Sequence, residues 1–454
     1  MFSLSPYRQH TRRLLVLGLP LVGSHVAQVM IGVTDTLMLG WYDVRALAAV
    51  TIAQTLWFVL FIVGSGFAFA VLPMVASALG EGNERQVRRV TRMGLWLSAI
   101  YGLAVTVPLI WTEWIMLALG QTAETAAMAQ DFLHIGAFGL VPALLTMVLK
   151  SYLSALERSQ PILWITVIGA LLNAGLNYLL IFGHLGFPEM GLRGAAIASV
   201  TLHVLGLFVF CFYSARVTPE HALFRRLWRI DREAFGQVLK LGWPIGLTNL
   251  AESGLFSAAS VMVGWIGAIP LAAHGVALQL SSLTFVVHLG LSQAATVRVG
   301  NALGRKDYGG LREGAATASV LSAVFALVMM VVYLAIPEQM VGLFVAPDDP
   351  ARPEILEVGS KFLIVAALFH LVDGAQVVAL GLLRGLHDTR RPMVYAALSY
   401  WAVGIPVSYV MGFVLGWGGV GIWLGLVVGL TLAAALMLGR FWSQVGPRGT
   451  LLPT

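Results

Sequence analysis

LGLPLVGSHVAQVMIGVTDTLMLGW (17–41) and LGWPIGLTNLAESGLFSAASVMVGW (241–265) decide the fold class. Each is apolar over more than the roughly 20 residues that a helix needs to cross the hydrocarbon core of a bilayer. Lipid offers the backbone no hydrogen-bonding partner, so runs of this length are helices rather than strands. Each holds a proline at its fourth position, Pro20 or Pro244, and a single acid, Asp35 or Glu252. The two stretches are 224 positions apart, and the match runs without a gap from 17–80 onto 241–304. Twenty of these 64 positions are identical, more than shared apolar composition supplies. The chain is therefore an internal repeat of membrane helices.

Comparable apolar segments recur outward from these two. They lie at about 14–39, 46–74, 93–116, 131–153, 161–183 and 192–214, then at 237–262, 270–297, 316–336, 358–382, 393–415 and 418–440. These twelve predict an all-α integral membrane protein built as two six-helix repeats. An even count per half gives both halves the same orientation, so the repeats are parallel, and alternating access between two such halves is the usual use of this design. The polar, Arg-rich stretch at 215–236 separates them, with lobes expected over 1–222 and 223–454. Composition agrees: 58% of the 454 residues are hydrophobic and 11% charged, against about a quarter charged in soluble domains. Arg8, Arg12 and Arg13 precede the first apolar run as in a secretory signal, but that run is too long for one and holds Pro20 and Asp35. The lone Cys211 excludes an internal disulfide framework.

Charge placement sets the orientation. With the N-terminus in the cytoplasm, 24 Lys and Arg fall on the cytoplasmic side, Lys150, Arg384 and Arg448 among them. Only Arg45, Arg193, Arg352 and Lys361 fall outside. This is a strong positive-inside bias and puts both termini in the cytoplasm. It also explains the pI of 9.6 by topology and lipid contact rather than by nucleic acid. On this reading no basic residue is left for the membrane interior.

Three acids do fall within spans: Asp35, Glu252 and Asp373. A charge at mid-membrane costs roughly 2.5–3.5 kcal/mol on insertion scales, so each must be protonated, bind a cation or meet a cationic substrate. Asn173 and Asn177 are four apart on one helix face and, with Asp35, would make a small oxygen-lined site for a hard cation such as Na⁺ or for a proton. The same amides would equally serve as hydrogen-bonding glue between helices. In the second half Glu252 and Asp373 make a second candidate site. His370 and Gln376 lie three residues either side of Asp373, and Gln279 is a further polar candidate. The repeat pairs Glu252 with Gln28 and Asp35 with Ala259, so the halves share a scaffold but not their acids. His184, His203, His274 and His288 lack metal-ligand spacing and read as structural. No phosphate-loop lysine motif occurs, which argues against ATP-driven export by this chain. No organic cofactor and no enzyme activity are expected.

Several stretches resemble the multidrug and toxic compound extrusion (MATE) family, and its NorM-like branch in particular. They are 17–40, LNYLLIFG (176–183), ATVRVGNALGRKD (295–307) and VDGAQVVALGLLRGLHDTRRPM (372–393), within a similarity running from about 12 to 442. The resemblance implies a V-shaped pair of six-helix lobes in the bacterial inner membrane. It further implies antiport of cationic, often aromatic, drugs against Na⁺ or H⁺. It assigns cation or substrate binding to Asp35, Glu252 and Asp373, polar support to Asn173 and Asn177, and helix bending to Pro20. A monomer is expected. The main alternative is a flippase of lipid-linked oligosaccharide or peptidoglycan precursors from the same superfamily, which would present intramembrane bases to pyrophosphate.

Overall fold

The computed structural model describes residues 4–446; Arg448 lies outside them. Twelve long helices follow in chain order: α1 (Leu4–Tyr42), α2 (Val44–Gly80), α3 (Glu84–Ile110), α4 (Ala123–Ala155), α5 (Ser159–Phe182) and α6 (Gly191–Val217). The second six are α7 (Arg232–Ile266), α8 (Ala268–Gly304), α9 (Tyr308–Ala335), α10 (Arg352–Gly385), α11 (Arg390–Val414) and α12 (Gly418–Gln444). Eleven are long and apolar enough to cross a membrane by length and composition. The exception is α7, whose Thr248, Asn249, Glu252, Ser253, Ser257 and Ser260 dilute its apolar run. The least lipid-like helix thus carries one of the three acids.

The helices outlast the sequence segments at most ends because capping chemistry sets their limits. Asp43 accepts from the Arg45 amide ahead of α2, and Asn83 from the Gln86 amide ahead of α3. Asp307 caps α9 in the same way through Gly310, 2.9 Å away. Asn83 and Asp307 are 224 apart (307 − 83), as are the short helices Glu113–Ala118 and Pro337–Gly342 (337 − 113). The repeat therefore extends well beyond residue 80. The third apolar segment was expected to reach about residue 116, but α3 stops at Ile110, just past Pro108.

The chain forms two compact units, Gly23–Gly246, and Met1–Val22 with Leu247–Thr454. Both α1 and α7 contribute to each unit. In both helices the change falls two residues past the proline, after Val22 and after Gly246, again 224 apart (246 − 22). A proline inside a helix removes one backbone hydrogen bond, and it marks the change in both.

Within Gly23–Gly246, α2 packs on α3 and α4, and α4 on α6, around a core that includes Leu133, Leu140, Leu144 and Ile181. The start of α7 crosses α2 at bare backbone, where a Cβ on Gly66 would lie 2.4 Å from the Gly242 carbonyl and the Gly246 nitrogen. In the other unit α10 packs against α8, α9 and α12. The start of α1 crosses α8 there at Gly18 and Gly290, the repeat partners of Gly242 and Gly66. The Arg-rich stretch expected as a loop is strapped to α3. Arg92 donates to the Leu223 and Ala222 carbonyls at 2.6 Å, and Trp96 donates to the Leu227 carbonyl at 2.7 Å. Arg89 pairs with Asp231 and Glu233, and its hydrogen bonds hold the Asp231 carboxyl below the usual carboxylate range.

Candidate functional site

The sequence-predicted acids sit in two separate pockets, one per compact unit. In Gly23–Gly246, Asp35 on α1 is 7% exposed. Its Oδ1 accepts from the side-chain nitrogens of Asn173 at 2.6 Å and Asn177 at 2.5 Å, both from α5. Their spacing of four places both amides on the face turned to α1. The carbonyl oxygens of both asparagines are buried and meet no hydrogen-bond donor among the described residues. A half-turn of either carboxamide exchanges nitrogen for oxygen in the same space. The pocket can therefore offer donors to a bare carboxylate or acceptors to a cation, and its oxygen donors suit a hard ion.

In the other unit Asp373 on α10 is 1% exposed, and neither carboxyl oxygen has a hydrogen-bond partner among the described residues. Around it Glu252 Oε1, Gln376 Oε1 and both ring nitrogens of His370 are likewise buried without partners. Glu252 lies within electrostatic range of Asp373. Buried polar groups are almost always paired, so this concentration of unpaired oxygen and nitrogen atoms marks a place built for something else to complete. Aromatic rings wall it: His370 meets Tyr333 at 4.9 Å and Phe369 at 5.5 Å between centroids, and Phe369 meets Trp423 at 5.6 Å.

The other expected residues divide. Gln376 joins the Asp373 pocket and donates to the Tyr400 hydroxyl at 2.7 Å. Gln279 is half-buried, and its side chain makes no hydrogen bond among the described residues, so the structure does not bring it into a polar network. Pro20 lies within an unbroken α1. The histidines read as structural have such contacts: His274 links Trp423 and Ser260, His288 meets Ser322, His203 stacks on Trp57, and His184 lies tilted against Tyr178.

Two features escaped the sequence. Tyr400 sits in a π-helical turn, Leu398–Gly404, which breaks α11 beside the Asp373 pocket. Such turns often occur at functional sites, but nothing in residue spacing announces one. The second concerns two bases near the ends of long helices: Lys150, within the apolar segment 131–153 and five residues before the end of α4, and Arg384, two residues beyond the segment 358–382 in the last turn of α10. Arg384 donates to the side-chain oxygen of Asn249 at 2.9 Å, one turn before Glu252, and lies within electrostatic range of that acid. Asn249 was legible as a polar residue on the Glu252 face. Beside this turn an open groove of about 480 Å³ is lined by Leu247, Ala251, Met393, Val394 and Trp401 and holds no acid.

The MatE family model matches residues 20–179 and 244–410. A Rhizobium meliloti protein named "Probable multidrug resistance protein NorM" is 45% identical over 95% of this chain and 93% of its own length. The Agrobacterium fabrum protein of that name is 43% identical over the same shares. A eukaryotic MATE transporter superposes with a TM-score of 0.85 at 20% identity, covering 96% of each chain, which supports the twelve-helix fold.

Proposed function

This chain belongs to the MatE family of multi-pass membrane proteins, and from that premise we propose that it exports organic cations in exchange for an external cation. The observation that carries the reading is Asp373: a carboxyl buried in a helix bundle with neither oxygen hydrogen-bonded. An acid in that setting is stable when protonated or when a cation completes it, and those are the alternating states of an exchange cycle. An external Na⁺ or H⁺ binds at Asp373 with Glu252, at Asp35 with Asn173 and Asn177, or at both, and weakens drug binding. Loss of that cation inward restores affinity for aromatic cations from the cytoplasm, and linkage makes the two effects reciprocal. Pro20 and Pro244 serve as the flexing points of α1 and α7. Lobes of 1–222 and 223–454 alternate their access, in a monomer of the bacterial inner membrane with both termini cytoplasmic. The names of the NorM relatives support multidrug efflux as the physiological role.

The flippase reading would need bases at membrane depth, whereas Lys150 and Arg384 stand near the ends of α4 and α10. The acid pockets favour cation export, because unpaired carboxyls repel pyrophosphate. Efflux of a cationic dye from vesicles under separately imposed Na⁺ and H⁺ gradients tests the proposal. Efflux driven by one or both gradients is expected. Gradient-independent movement of the dye would overturn it.

A further inference from the structure

Residues 218–231, between α6 and α7, take no part in the exchange cycle above, yet they are pinned along their whole length. Tyr152 donates to the Thr218 hydroxyl at 2.8 Å, which donates in turn to the Ser214 carbonyl at 2.7 Å. Arg89, Arg92 and Trp96 stand at i, i+3 and i+7 on one face of α3. Arg92 donates to the Ala222, Leu223 and Arg225 carbonyls, Trp96 to that of Leu227, and Arg89 pairs with Asp231. Two turns close where the Arg225 and Arg229 amides donate to the Ala222 and Arg226 carbonyls. Ala222 and Arg226 hold left-handed backbone there, a conformation that residues with a Cβ adopt only where the surroundings enforce it.

These contacts place the strap along α3. From Arg89 to Trp96 the helix rises about 10 Å, and Arg92 is its last charged residue before Glu113. Leu227 therefore meets α3 where the uncharged stretch of that helix begins. Next to it Trp228 is 74% exposed, and Ile230 is 52% exposed. Arg225, Arg226, Arg229 and Arg232 flank them in the chain and are exposed too. None of the four makes a side-chain hydrogen bond or ion pair among the described residues. Asp231 and Glu233 are taken by Arg89, so Glu220 is the one exposed acid set against them. An indole and an isoleucine held open on a fixed turn gain nothing from water. The headgroup layer of a bilayer suits both, because indoles concentrate there and arginines are drawn to anionic lipids.

We propose that residues 225–232 dock on the anionic headgroup layer of the surrounding bilayer. Trp228 and Ile230 seat among the upper acyl carbons, while Arg225, Arg226 and Arg229 meet lipid phosphates. A lipid surface fits better than an acidic protein or a nucleic acid, because the positive charge is interleaved with apolar side chains where a membrane-spanning helix becomes apolar. The docking needs only a chain that crosses the membrane, so it stands whether or not the cargo is an organic cation.

The test is chymotrypsin cleavage after Trp228 in the full-length protein held in lipid nanodiscs, which leave both membrane faces open. Discs of phosphatidylcholine alone are compared with discs that also contain phosphatidylglycerol. Wild type should be cut about tenfold more slowly with phosphatidylglycerol present, and high salt should remove most of that protection. With Arg225→Gln, Arg226→Gln and Arg229→Gln combined, the two discs should give equal rates, whereas the corresponding triple change to Lys should keep the protection. A strap merely loosened by the substitutions is cut faster in both discs, so the ratio of rates reads the lipid contact. Equal rates for wild type, or a ratio that survives in the Gln variant, would overturn the proposal. So would protection by inorganic phosphate added to phosphatidylcholine discs, which would mark a simple anion site.

Discussion

The two acid pockets occupy halves of one repeat, yet they solve opposite problems. Asp35 is satisfied, with two amide donors from Asn173 and Asn177 converging on one of its oxygens. Asp373 is stranded, with two bare oxygens among other unpaired groups. The scaffold explains neither, because the repeat partner of Asp35 is Ala259 and that of Glu252 is Gln28. What the difference teaches is that the frame was duplicated while the chemistry diverged. A pre-solvated carboxylate can stay charged between ions, whereas a stranded one needs its ion or proton in every resting state. On that view Asp373 sets the coupling and Asp35 adjusts it.

The largest expected effect breaks the stranded pocket. Asp373→Asn should abolish gradient-driven dye efflux, a loss of about a hundredfold or more, while the thermal melting temperature holds or rises because an unpaired buried carboxyl has been removed. A melt showing gross unfolding would mean that Asp373 is structural. Asp35→Asn should cut efflux by about tenfold, since the amide network persists without the charge; equal loss in the two variants would erase the proposed division of roles.

The scaffold half of the comparison is tested at the glycine crossings. Gly66→Ala should destabilise by about 1–3 kcal/mol, because its Cβ meets backbone atoms that cannot swing away. Gly290→Ala should cost less, since its nearest obstacle is a Val22 methyl group. Melting temperatures of the two variants check the order. The smallest effect lies at the strap joining the halves. Arg89→Ala should loosen residues 218–231, seen as faster proteolytic nicking, at a cost of under about 1 kcal/mol. Asp231 is held below its ordinary range by Arg89, so this contribution is present above about pH 4 and is lost as pH falls through the lowered value. Wild type and variant should therefore nick alike in strong acid and differ at neutral pH.

Much of the fold was legible because hydrophobic length and charge sidedness are one-dimensional properties. The proline and glycine matches of 17–41 with 241–265 already held the crossings that appear as Gly18 on Gly290 and Gly242 on Gly66. The Asp35 pocket was legible too, since Asn173 and Asn177 carry their pairing in their spacing. Less visible were features that depend on where a helix ends or winds unevenly. Arg384 looked like a loop charge because α10 runs past the apolar segment 358–382, while Lys150, inside its segment at 131–153, was counted with the cytoplasmic charges because it stands near that segment's end. Tyr400 reaches Gln376 from a widened turn that no periodicity records. Gln279 looked polar enough to matter, but spacing alone does not say which face meets a partner.

The most direct measurement is ion release on drug binding by purified protein in detergent. With an organic cation added at saturating concentration, the account predicts that wild type releases protons into weak buffer or displaces radioactive Na⁺, that Asp35→Asn still does so in part, and that Asp373→Asn binds drug without release. Drug binding by the wild type with no release of either ion would contradict it.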